Sequence, residues 1–108
     1  TSPYGRDVKT QGNPIRVSEM LATLDGPAYI ERVTVDTIPH IKQAKAAIKK
    51  AFQMQIDKKG FSLVEVVSTC PTNWGMSPQE SFQWMRDNMK KKYPLGVYKD
   101  ITKEEEAK

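Results

Sequence analysis

The stretch "YIERVTVDTIPHIKQAKAAIKKAFQMQIDKKGFSLVEVV", Tyr29 to Val67, decides the fold. It opens with an alternation, Tyr29 and Glu31 against Ile30 and Arg32, followed by Val33, Thr34 and Val35. Period-two patterning with β-branched residues reads as a strand. A helical pattern follows. Ile41, Ala44, Ile48, Ala51, Phe52, Gln55 and Ile56 form one stripe, and Lys42, Lys45, Lys49 and Lys50 lie mainly off it. Asp36 or Thr37 suits the helix cap. "DKKG" ends the helix, and "FSLVEVVST" is a second strand, apolar apart from Glu65 and the Ser and Thr residues. So apolar a run belongs where both faces of a sheet are covered, as in parallel α/β sheets. A strand–helix–strand crossover of this length joins parallel neighbours with right-handed sense. The expected class is therefore α/β, with parallel strands flanked by helices. Two strands are too few for a stable open sheet, so the others are expected from upstream sequence or from a partner.

Upstream, residues 1–14 read as loop, punctuated by Pro3, Gly5, Gly12 and Pro14. "PIRVSEMLATLDG" places Val17, Met20, Leu21 and Leu24 on one helical face, with Pro14 in the first turn and Gly26 as the stop. Downstream, Ser77, Pro78 and Glu80 predict a capping box at the start of a last helix, with Phe82, Met85 and Met89 on one face. Trp84 lies off that face and is expected to meet another surface. "YPLGVY" turns back as an extended segment, and residues 101–108 are expected to fray. There are no internal repeats, and the chain reads as a single domain, 1–108.

The 108 residues allow a modest core, and 28% charged with 38% hydrophobic residues is ordinary for a globular protein. No apolar run approaches a membrane span, and the N-terminus has no signal-peptide core. The net charge of +4 comes partly from Lys clusters on a helix face. Basic residues are not interleaved with aromatics, so nucleic-acid binding is not expected. One cysteine excludes an internal disulfide framework and points to a reducing, cytoplasmic location.

That cysteine, Cys70, ends the second strand, where ligands of open α/β sheets collect. Three readings are open: a small buried hydrophobe, a nucleophile, or a metal thiolate. A nucleophile needs a base, and His40 is the only histidine. It is expected at the opposite end of the sheet from Cys70, which disfavours a dyad. A metal site needs partners that these residues do not supply. Pro71 bars further helix or ladder pairing, Gly75 allows unusual dihedrals, and Asn73 reads as a turn residue or a polar site group. Trp74 reads as core or interface. Glu31 and Glu65, on strands, read as solvated or salt-bridged rather than as acid–base groups. "TSPYGR" has residues that suit phosphate contacts but lacks a glycine cradle.

"TSPYGRDVKTQGNPIRVSEMLATLDGPAYIERVTVD", "IKQAKAAIKKAFQMQIDKKGFSLVEVVSTCPTNWGMSP" and "YPLGVYKD" closely resemble the C-terminal part of one family. It is the thiamine-diphosphate-binding beta subunit of 2-oxoacid:ferredoxin oxidoreductases, of the 2-oxoglutarate or branched-chain 2-oxoacid type. The resemblance runs from Thr1 to Asp100. It implies part of a thiamine-diphosphate-binding fold in a complex that oxidatively decarboxylates a 2-oxoacid, makes an acyl-CoA and reduces ferredoxin. It also implies an alpha subunit, with small gamma and delta subunits, as partners. The cofactors implied are thiamine diphosphate, Mg²⁺ and a [4Fe–4S] cluster. Cys70 matches the last of four thiolates holding that cluster, with the other three upstream, and Pro71 and Asn73 would shape the surroundings of the sulfur. Thr1, Ser2 and Gly5 resemble the tail of the loop that passes the thiamine diphosphate. The other cluster ligands and the Gly-Asp-Gly segment for the magnesium diphosphate are absent. The chain is thus expected to be a C-terminal fragment that binds no cofactor and is inactive alone. The competing expectation is a free-standing, non-catalytic α/β module that docks through Trp74, Trp84 and the Lys-rich helix.

Overall fold

A computed structural model describes residues 5–103. Its centre is β1 (Pro27–Thr34), with β2 (Phe61–Val67) on one side and β3 (Gly96–Asp100) on the other. β1 and β2 are parallel, with Arg32 opposite Glu65 and Thr34 opposite Val67. β3 is antiparallel to β1 and carries a register shift opposite Ile30/Glu31. The fold class is α/β with helices flanking the sheet, as the pattern predicts, but the sheet is mixed. Its third strand comes from neither upstream sequence nor a partner. It is the chain's own "GVYKD", which completes a three-stranded sheet around β1.

The crossover from β1 to β2 is α3 (Ile38–Ile56), which starts with Thr37 Oγ accepting from His40 N and has a proline in its first turn. The predicted stripe is not the inward face. Of its residues Ala44 is buried, and Ala47 and Met54, outside the stripe, are buried with it; Ala44 and Ala47 pack near Val33 and Val64, whereas Ile48, Phe52 and Ile56 are exposed. Small residues allow the helix to lie close to the strands, so the bulky apolar residues stand to one side. Lys50 leans inward, ion-paired to Asp100 and over the Tyr29 ring at 5.2 Å. The turn after α3 needs a glycine. At Gly60, with φ +139, a Cβ would lie 2.9 Å from the Gly26 carbonyl oxygen.

The other face of the sheet meets α2 (Val17–Ala22), and at Thr34 it touches Met85 of the C-terminal helical segment. The predicted apolar face of α2 is not its inward face. Met20 and Leu24 are exposed, and Ser18 is the buried residue. The helix also begins at Val17, after Pro14 and with Arg16 at its cap. The cause is Arg32, which is 1% exposed on the strand face that α2 covers. A buried guanidinium needs counter-charge and acceptors. Glu19 supplies one oxygen 2.5 Å from Arg32 Nη2, and Glu65 accepts from Arg32 Nε. Arg32 Nη1 donates to Pro94 O at 3.1 Å and to the Tyr98 hydroxyl at 3.0 Å, and Ser18 Oγ donates to Glu65 at 2.8 Å. The guanidinium also lies 5.3 Å and 5.1 Å from the ring centroids of Tyr93 and Tyr98. Burial opposes the charge of Arg32, and the bonds from Glu65 and Glu19 outweigh it, so its pKa is raised. Glu65 has the salt-bridged role that its place on the strand predicts.

α1 (Val8–Gln11) is an exposed turn within the predicted N-terminal loop, and Ile101 to Lys103 form a helical turn after β3. Among the described residues no helix is long and apolar enough to cross a membrane.

Replacing Arg32 with alanine leaves Glu19 and Glu65 facing each other and should cost about 3–5 kcal/mol of stability. Replacing Arg32, Glu19 and Glu65 together with apolar residues of similar volume should recover most of that loss. Denaturant unfolding of the two variants checks both outcomes.

Candidate functional site

Parallel pairing brings the ends of β1 and β2 to one edge of the sheet. β1 runs out into Asp36, and β2 runs out toward Cys70. The start of α3 follows β1, so His40 stands at the same edge as Cys70. The expected separation to opposite ends is overturned by the parallel register. His40 Nδ1 donates to Asp36 Oδ1, and among the described residues the imidazole makes no hydrogen bond to Cys70.

Asp36 is the hub of this edge. Its side chain is fully buried. Besides His40, it accepts from Arg86 Nε at 2.8 Å and from Lys90 Nζ at 3.1 Å, while Arg86 Nη2 donates to the Asp36 carbonyl at 3.1 Å. Burial pushes the carboxyl pKa up, and the bonds from His40, Arg86 and Lys90 more than reverse this. The net value lies well below the usual aspartate range. These contacts tie the start of α3 to the C-terminal helical segment. That segment is α5 (Pro78–Trp84), a π turn (Met85–Met89) and α6 (Lys90–Lys92). Its start follows the sequence, with Ser77 and Glu80 forming the predicted capping box and Pro78 in the first turn. The π turn lies where Met85 is fully buried beside the Thr34 hydroxyl and Arg86 reaches Asp36. Widened turns of this kind recur at functional junctions.

Cys70 is half-buried and free. It caps α4 (Pro71–Trp74), whose Trp74 N donates to the Cys70 carbonyl at 3.0 Å. Pro71 therefore does not bar a helix. It occupies the first position of one, where no backbone N–H is needed. Gly75 ends the turn in the left-handed region, φ +66 and ψ +35, as its place in the sequence suggests. Asn73 is exposed, and Pro71 is half-buried beside Cys70. Trp74 is buried, and its ring lies 4.5 Å from that of Trp84, so Trp74 is the surface that Trp84 meets. The pair pins α4 to α5.

Gly5 is exposed, with φ +89, and a Cβ added there would meet nothing within 4 Å among the described residues. Thr1 and Ser2 lie outside the described residues. Among the described residues no group of three or more His, Cys, Asp or Glu side chains could hold a metal ion. Cys70 fits the part of a single thiolate donor and no more. The Asp36 hub escapes sequence reasoning. Locally Asp36 reads only as a helix cap, and its partners Arg86 and Lys90 lie 50 and 54 positions away.

The sign of the Asp36 shift fixes its pH dependence. A depressed carboxyl stabilises the fold above the ordinary aspartate pKa of about 3.9 and loses that contribution as pH falls below it. Asp36→Asn should cost about 1–3 kcal/mol at neutral pH and flatten the acid limb of the stability curve. Thermal unfolding of both proteins between neutral and acid pH measures this.

No family model matches the chain, and no solved structure matches it. Curated proteins do. The chain is 37% identical over 98% of its length to the ketoisovalerate oxidoreductase subunit VorA of Methanothermobacter thermautotrophicus, and covers 22% of that protein. It is 32% identical over 97% of its length to the 2-oxoglutarate synthase subunit KorB of Methanocaldococcus jannaschii, and covers 38% of it. The chain thus spans well under half of either relative. Along nearly its whole length, the chain is similar to parts of these two oxidoreductase and synthase subunits.

Proposed function

We propose that the chain is the C-terminal part of the beta subunit of a 2-oxoacid:ferredoxin oxidoreductase, and that Cys70 gives one thiolate to a [4Fe–4S] cluster. The other three ligands belong to the rest of the intact subunit, as do the residues that bind thiamine diphosphate and Mg²⁺. The observation that carries this reading is a coincidence of place. The chain's single cysteine stands at the carboxyl edge of a parallel strand pair, in a chain similar over 98% of its length to an oxidoreductase subunit.

A cluster bound there would pass electrons one at a time to ferredoxin. The chain's own contribution is position. β2 and α4 hold the Cys70 backbone from both sides, and the Trp74–Trp84 contact fixes α4. Pro71 presents no N–H beside the sulfur, and Asn73, three residues on in α4, would bring an amide to its surroundings, two levers on the electronics of a thiolate. The chain resembles one protein named for ketoisovalerate and another named for 2-oxoglutarate. A segment common to both suits the shared electron-handling chemistry rather than the choice between those acids. The alpha subunit, coenzyme A and the 2-oxoacid then meet the intact enzyme elsewhere.

In the intact enzyme, Cys70→Ser should lower iron per subunit and cut ferredoxin reduction by about tenfold or more. Normal iron and turnover would refute the ligand role. Asn73→Ala should retain iron and shift the cluster's reduction potential, read by electrochemical titration. The 108-residue chain alone, titrated with thiamine diphosphate and Mg²⁺ in a calorimeter, should give no micromolar isotherm.

A further inference from the structure

Cys70 is held from two sides. On one, Trp74 N donates to the Cys70 carbonyl and the Trp74–Trp84 contact fixes α4. On the other, the chain arrives from Val67, the last residue of β2, through Ser68, which is exposed, and Thr69, which is half-buried. Over so short a span, the direction in which the chain leaves Val67 decides where the sulfur lies. Val67 is therefore the strand-side anchor, and what holds Val67 matters at Cys70.

Thr34 holds it. Thr34 is the last residue of β1, stands opposite Val67 in the parallel register and is 1% exposed. Its Oγ1 donates to Val67 O at 2.8 Å, and Met85 Sδ lies 3.6 Å from the same hydroxyl. A hydroxyl has one proton and a thioether is a weak acceptor, so the proton belongs to the carbonyl. That bond fixes the peptide plane between Val67 and Ser68. Met85 is fully buried, and its neighbour Arg86 is tied to Asp36, two residues beyond Thr34. Fold stability does not call for a hydroxyl at this position. Valine has nearly the same shape, suits a strand as well, and stands on both sides at Val33 and Val35. Burying a hydroxyl costs free energy that one hydrogen bond roughly offsets. What threonine adds is direction, a fixed bond to the carbonyl from which the path to Cys70 begins.

We propose that Thr34 is a positioning residue for the cluster: by fixing the Val67 carbonyl, its hydroxyl sets where the Cys70 thiolate can meet iron. This rests on the reading of Cys70 as a cluster ligand. Thr34 acts through the exit of β2, so removing its hydroxyl leaves the ligand in the chain and alters how it is held. The potential of an iron–sulfur cluster responds to such changes around its sulfurs. Packing and positioning make opposite demands on this site. Packing is kept by valine and weakened by serine, whereas the bond to Val67 is lost with valine and kept with serine.

Reduction potential and iron content of the intact enzyme test this. Thr34→Val should keep iron per subunit and change the equilibrium constant for one-electron reduction of the cluster by about threefold or more, read by electrochemical titration. Thr34→Ser should shift it less than Thr34→Val does. An unshifted potential in Thr34→Val would overturn the inference. So would a larger shift in Thr34→Ser, which marks a packing role. If Thr34→Val fails to fold, Thr34→Ala and Thr34→Ser decide, since they differ by the hydroxyl alone, and equal potentials in that pair would overturn it. Loss of iron in Cys70→Ser beside an unshifted Thr34→Val overturns this inference alone. Normal iron in Cys70→Ser overturns the proposed function, and this inference with it.

Discussion

One buried cation organises this chain. Arg32 stands on the central strand with essentially no contact with water, and α2, β2 and the segment leading into β3 are arranged to meet it. α2 turns Glu19 toward it, β2 contributes Glu65, which Ser18 steadies, and the turn before β3 brings Pro94, with the Tyr93 and Tyr98 rings close by. The desolvation of a guanidinium is costly, and only this number of partners offsets it. An ordinary apolar face on α2 would strand the charge. The helix consequently exposes Met20 and Leu24, the side chains that its periodicity would bury.

The opposite logic holds at the carboxyl edge, where one anion collects cations. Asp36 links the crossover helix to the C-terminal helical segment through His40, Arg86 and Lys90. The two polar centres sit four residues apart on one strand and its exit. They fix how the helices lie over the sheet, and apolar packing fills the space between. β1 is thus both the most buried strand and the one that carries the electrostatic framework.

Much of this is legible in the sequence because it is local. The strand–helix–strand order, the Ser77–Glu80 capping box and the left-handed Gly75 each depend on a few neighbouring residues. What is not legible depends on distant partners. The alternation around Arg32 signals a strand without telling that the arginine faces inward. The stripe on α3 has two candidate faces, and the choice of alanines over Ile48 and Phe52 follows from how closely the helix approaches Val33. The edge shared by His40 and Cys70 follows from parallel pairing once β1 and β2 are neighbours. The partners of Asp36 are some fifty positions away and leave no local trace. Of the candidate site, sequence locates Cys70 and its turn, and the hub beside it requires the assembled fold.

The contact between Trp74 and Trp84 has an optical consequence. These are the chain's only tryptophans, and their rings lie 4.5 Å apart at a 45° tilt, close along the chain to Cys70. Indole emission, and the indole part of the near-ultraviolet dichroism, therefore come from a single spot. A redox-active group or heavy atom placed near Cys70 would quench both chromophores together, while loosening of α2 would leave them bright. The protein carries its own spectroscopic reporter at the edge of the sheet that holds Cys70 and the Asp36 hub.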